Sequence, residues 1–336
     1  MEIQREYWID AVRSFACLCV ITTHAPIPGC TGGGTPLIAV SNYFAVAGAS
    51  ILFFMISGSL VLYKEKPVIP FLKVRLSRIV LPMVIWSVVC LLIDYFTHTI
   101  SETELTRKIL MIPFAPQVGT YWFIYVIFGI YLVTPPIATW LSHSSRKDVE
   151  IYIGIWSFTL LLPYLTHFFP RLEAIIGFRS GYLYYFYGFL GFAVLGYYLR
   201  KYVTIPSLRW YHLVVIASLL LIPVILYLIP TIPHSAIQNR MSLNIVGLSI
   251  VYFLVLKHIP WSERMKRICY DFAQHSFGIY LVHLLVMRKV LWPLIGPLNL
   301  HYAIQIPLVV ILTAALSYFV VHLISFLPKS KYIVGL

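Results

Sequence analysis

Apolar runs of roughly 20 residues, divided by short polar breaks, follow one another along almost the whole of the 336-residue chain. A helix of that length crosses a hydrocarbon layer about 30 Å thick. Ten runs are read in this way, near 7–25, 43–63, 78–97, 121–140, 150–168, 181–199, 211–229, 242–259, 272–292 and 302–327. The fourth opens on Gly119-Thr120-Tyr121-Trp122 and contains Pro135-Pro136, and the ninth carries His275 and His283. The pattern predicts an all-α integral membrane protein, a bundle of about ten transmembrane helices. It forms a single membrane domain over 1–336, with no soluble domain.

The breaks between runs carry the positive charge. With the N-terminus placed inside, 17 Lys and Arg fall on inside segments and 7 on outside ones, with Arg13 inside the first run. Short cytoplasmic loops are enriched in Lys and Arg. The asymmetry therefore predicts ten crossings with both the N- and C-termini cytoplasmic. Nine or eleven crossings would put Lys329 and Lys331 outside.

Composition agrees with this picture and narrows the function classes. Soluble domains carry about 25% charged residues, against 11% here, with 60% hydrophobic residues and a mean hydropathy of +0.85. The net charge of +13 is spread over short loops, which argues against nucleic acid as a partner. The cysteines Cys17, Cys19, Cys30, Cys90 and Cys269 form no CxxC pair, so neither a zinc site nor a disulfide framework is expected. Ile27-Pro28-Gly29-Cys30 faintly resembles a lipoprotein cleavage box, but Asp10 and Arg13 interrupt the preceding apolar run. A retained first helix is therefore expected.

The first run is the most informative. Ionisable groups within a span are costly and face a protein interior or a water-filled cavity. Asp10 and Arg13 are three residues apart and can pair on one helix face. His24 lies eleven residues beyond Arg13, about three turns and roughly 16 Å along the axis, so it returns to nearly the same face. A polar stripe would run from Asp10 and Arg13 to His24. It suits either a structural ion pair with an interfacial histidine or a reaction path ending on a base of near-neutral proton affinity. Between the second and third runs lie Lys73, Arg75 and Arg78. Guanidinium forks suit phosphate, and positive-inside anchoring to anionic lipid is the other reading. Ser57-Gly58 within the second run combines a hydroxyl with a residue that allows close helix approach.

Several short motifs occur in a fixed order: Asp10-x-x-Arg13 with His24; Phe53-Phe54-Met55-Ile56-Ser57-Gly58; Arg75-x-x-Arg78; and Tyr121-Trp122-Phe123. They are followed by Tyr187-Gly188-Phe189-Leu190-Gly191-Phe192-Ala193 in the sixth run and by Ser276-Phe277-Gly278-Ile279-Tyr280-Leu281-Val282-His283 in the ninth. In this order, over about residues 5–325, they resemble the acyltransferase-3 family of membrane-embedded acyltransferases. Within it, they look most like the stand-alone surface-polysaccharide O-acetyltransferases, without an appended esterase-like domain.

The resemblance implies transfer of an acyl group, usually acetyl from cytoplasmic acetyl-CoA, to a hydroxyl of a cell-surface or lipid-linked glycan in the bacterial inner membrane. It assigns catalysis to His24 and Arg13, with Asp10 ordering the channel. Arg75 and Arg78, helped by Lys73, would hold the CoA phosphates. Ser57, Tyr121, Trp122 and His283 are candidates to support a developing oxyanion. Acyl-CoA is a co-substrate in this scheme, and no metal is called for. The rival is a polysaccharide exporter or flippase that performs no chemistry and needs no CoA site.

Overall fold

A computed structural model describes residues 6–28, 34–65, 67–171, 188–204, 209–228 and 237–335. Within these the chain is helical between short turns. Helix α1 (Tyr7–His24) precedes α2 (Gly34–Gly48) and α3 (Ser50–Val61); α4 (Val68–Arg75) runs through a π turn (Leu76–Val80) into α5 (Leu81–Phe96). After α6 (Glu102–Met111) come α7 (Trp122–His143), α8 (Arg146–Thr159), α9 (Leu162–Phe168), α10 (Leu190–Tyr202), α11 (Trp210–Leu228) and α12 (Leu243–His258). Helix α13 (Glu263–Val286) continues through a second π turn (Met287–Leu291) into α14 (Trp292–Ile295), and α15 (Tyr302–Ser325) and α16 (Lys331–Val334) follow.

Helix occupies the position of every apolar run, the sixth only from its tenth residue, Leu190, onward; 172–187 lie outside the described residues. Arg5, Cys30, Lys66 and Arg179 also lie outside them. Six segments are long and apolar enough to cross a membrane: Leu37–Val61, Val68–Phe96, Gly119–His143, Arg146–Phe168, Glu263–Leu298 and Tyr302–Ser325. Helix α1, which contains Asp10, Arg13 and His24, is not among them, and His212–Leu221 and Leu243–His258 are shorter apolar helices.

The apolar surface is on the outside as well as in the core. On α15 the exposed side chains include Ile304, Ile311, Phe319 and Leu323, and on α8 they include Ile151, Ile155 and Phe158. A monomer in water rarely exposes such contiguous apolar faces. Facing lipid they need no partner. This is a multi-pass membrane protein.

Helix α1, which carries Asp10, Arg13 and His24, is enclosed by its neighbours. Helix α1 packs against α13, α2, α3, α12 and α15, and ten of its residues, Asp10 among them, are buried. Enclosure by other helices is how a span carrying charge is kept from lipid. Helices α3 and α10 meet at backbone distance. A methyl built on Gly58 would overlap the Ala193 carbonyl, and one on Gly196 would overlap that of Met55. Small residues permit this close approach in membranes.

The polar breaks gather at two ends. At one, Arg200 is ion-paired with Glu6 and stacks 4.8 Å above the Tyr63 ring. There Lys257 donates to the carbonyls of Leu199 (2.9 Å), Arg200 (3.2 Å) and Val203 (2.7 Å), and Lys266 lies over Tyr7. The C-terminal segment returns to this basic end, where Trp86 Nε1 donates to the Ile333 carbonyl at 3.0 Å. At the opposite end Lys289 pairs with Asp94 at 2.8 Å, and the Tyr302 hydroxyl reaches the Ile27 carbonyl at 3.4 Å.

Candidate functional site

A cavity of about 310 Å³ opens at the basic end, and its wall includes Arg13, Ser57, Arg75, Arg78, Tyr131 and Tyr280. Arg13 comes from α1, Arg75 from the last residue of α4, and Arg78 from the π turn that follows. That turn is a single widened turn of helix, a feature frequent at functional sites. It directs both arginines into one space.

Arg75 is held by its neighbours rather than by an acid. Its guanidinium lies 5.4 Å from the Phe71 ring centroid and 5.1 Å from that of Tyr131. Its Nε is buried without a hydrogen-bond partner among the described residues. Tyr131 in turn donates to Ser57 Oγ at 3.5 Å, which gives the Ser57 hydroxyl a place in the same wall. Among the described residues the cavity wall contains three arginines and no carboxylate.

Toward the middle of the molecule the wall ends on Tyr280 of α13. The Tyr280 hydroxyl donates to the Thr120 carbonyl, and the Tyr121 hydroxyl donates to the Leu281 carbonyl at 2.7 Å. These reciprocal bonds clamp the start of α7 to α13. Tyr121 is fully buried. One turn beyond Tyr280 stands His283, also fully buried, with ring centroids 5.8 Å apart. His283 Nδ1 lies 2.6 Å from the Tyr280 carbonyl. The next ring is His24, at 5.7 Å from His283. The cavity wall thus stops at Tyr280, and His283 and His24 are stacked in series behind that ring without lining the cavity.

The other expected residues fall as follows. Asp10 is 3% exposed and is not in the cavity wall. It sits on the part of α1 near Cys269, whose carbonyl accepts from Ser14 Oγ at 3.0 Å. Lys73 is exposed and outside the cavity wall. The Trp122 ring packs against the Arg240 guanidinium at 4.9 Å.

In the sequence Arg240 reads only as a loop charge. Its Nε is buried without a hydrogen-bond partner among the described residues, and its charge bears on His24, as does that of Arg288. Nothing in its local sequence marks it, since its position depends on packing against Trp122. Tyr280 had a signal, its place three residues before His283 on the same helix face. Among the described residues no three His, Cys, Asp or Glu side chains gather as a metal site.

A family model described as an acyltransferase domain matches residues 6–322. No curated protein and no solved structure matches the chain.

Proposed function

The chain belongs to the acyltransferase family whose model spans residues 6–322, and on that premise we propose that it moves an acyl group, acetyl by preference, from cytoplasmic acyl-CoA to a hydroxyl of a surface or lipid-linked glycan. The basic end then faces the cytoplasm of a bacterial inner membrane that the chain crosses about ten times, with both termini inside. One observation carries this reading: three arginines share a cavity with no carboxylate among its described residues, and two histidines are packed directly behind its inner wall at Tyr280.

Arg75 and Arg78 present guanidinium forks at the mouth, where CoA phosphates would be held. The stacked Arg75 has an unused Nε, so an arriving phosphate displaces no internal partner. A volume of about 310 Å³ is at the lower limit for a small-ligand pocket. It has room for the pantetheine arm and acyl group while the nucleotide stays outside. Arg13 lies along that arm, and His24 acts at the far end, on the acceptor hydroxyl or on the acyl group itself. Asp10, buried beside Cys269, orders α1, and Lys73 adds positive charge at the mouth. An exporter or flippase has no use for an arginine cavity with paired imidazoles packed behind its inner wall.

The test is mass spectrometry of surface glycans from cells carrying the wild-type chain, His24→Ala or Arg75→Ala at equal membrane levels. Wild-type cells should show the added mass of an acyl group on the glycan, which is lost in both variants. Retention of that mass in His24→Ala would remove His24 from the chemistry. Its absence from wild type would count against acyl transfer itself.

A further inference from the structure

His283 and His24 stand side by side but are held differently. A neutral imidazole has one N–H and one lone pair. His283 Nδ1 lies 2.6 Å from the Tyr280 carbonyl oxygen, which can only accept, so Nδ1 carries the hydrogen and Nε2 the lone pair. That Nε2 is buried, with no hydrogen-bond partner among the described residues. Buried acceptors are seldom left unmatched, and an unmatched one in a reaction path marks where a proton arrives. His24 is the last residue of α1 and only half-buried. Its ring packs against that of His283, 5.7 Å away and tilted by 37°, and no hydrogen bond fixes it among the described residues. The charged groups bearing on the two rings are Arg240 and Arg288, both cations, so no carboxylate among them competes for the proton.

One ring is locked with its lone pair inward and the other is free to turn, a division suited to a fixed base and a mobile nucleophile. Building on the acyl-transfer reading above, we propose that His24 carries the acyl group and that His283, through Nε2, takes the proton of the acceptor hydroxyl. In the first half-reaction a His24 ring nitrogen bonds to the thioester carbon and the C–S bond breaks. The departing thiolate takes the proton from the other His24 nitrogen, leaving a neutral acyl-imidazole and free CoA thiol. In the second, the acceptor oxygen bonds to the acyl carbon while its proton passes to His283 Nε2. The C–N bond breaks, its electron pair returns to the His24 ring, and that ring takes the proton back from His283. Both histidines end neutral. The two substrates approach from opposite ends of the molecule and need not meet.

The discriminating variant is His283→Asn, whose amide N–H can still donate to the Tyr280 carbonyl while the base is gone. Purified full-length protein is incubated with radiolabelled acetyl-CoA and then mixed with membranes from cells lacking this chain, as the acceptor pool. Wild type should acquire a hydroxylamine-labile label on the peptide containing His24 and release it to the membranes. His283→Asn, with an unchanged melting temperature and acetyl-CoA affinity, should acquire the label and release it at least 100-fold more slowly, the usual scale of a lost general base. His24→Ala should take no label. Release by His283→Asn within tenfold of wild type would overturn the proposal, as would transfer by wild type or by His24→Ala without passage through the His24 peptide. If wild type neither takes label nor transfers it, the underlying acyl-transfer reading fails instead.

Discussion

Arg75 shows what a single side chain needs in order to serve an anionic ligand. It is flanked by the Phe71 and Tyr131 rings, and its position owes nothing to an acidic neighbour that a phosphate would have to displace. Cation–π contacts of this kind contribute about 0.5–2 kcal/mol. Tyr131→Leu should therefore raise the KM for acyl-CoA by roughly 2- to 30-fold, at 1.4 kcal/mol per tenfold, with kcat little changed. Steady-state kinetics at saturating acceptor would check this, and a fall in kcat alone would count against Tyr131 as support for donor binding. The Arg75–Arg78 spacing and His24 were legible in the sequence because they lie on one helix or one hairpin. The Arg240–Trp122 stack and the lone pair of His283 were not, because each depends on a partner that only packing supplies.

Among the elements, α3 and α10 are the most demanding pair. Gly58→Leu or Gly196→Val forces carbon into an opposing carbonyl, and overpacking commonly costs about 1–3 kcal/mol. Both variants should melt several degrees lower in detergent. Gly129→Ala, where nothing lies within 4 Å, should melt like wild type. Equal melting of all three would contradict the close approach. Hydropathy locates the helices because lipid selects apolar length, but it misplaces three of their starts, the first being the second run, read from 43 where helix begins at Gly34. The third run was read from 78, yet helix extends from Val68 through Lys73, Arg75 and Arg78 to Phe96. The ninth was read from 272, yet helix starts at Glu263, where Ser262 Oγ accepts from Met265 N at 3.3 Å and Lys266 pairs with Glu263. Capping and short-range ion pairs sustain helix outside the hydrocarbon, where an apolar criterion is blind.

For the whole molecule, segments read as inside from their charges, those holding Arg200, Lys257, Lys266 and Lys331, gather at the same end as Glu6. If that end is cytoplasmic, a membrane-impermeant thiol reagent on intact cells should label Thr103→Cys. It should spare Lys147→Cys and Arg264→Cys until the membrane is opened, each variant in a background without native cysteines. All three positions are exposed in the structure. Labelling of Lys147→Cys in intact cells would reverse the orientation and, with it, the side from which CoA enters.

The two π turns give the site a property of their own. One, Leu76–Val80, carries Arg78, and the other, Met287–Leu291, carries Arg288 and Lys289. A π turn amounts to a helix with one residue too many, which turns everything beyond it by about 100° relative to an unbroken helix. Each group of guanidiniums thus sits at its own adjustable joint, set by one residue within a long apolar helix, Val68–Phe96 or Glu263–Leu298. The loss of that residue at one end would re-aim its guanidinium groups without disturbing the other. Donor and acceptor recognition can therefore drift separately on a scaffold that stays the same.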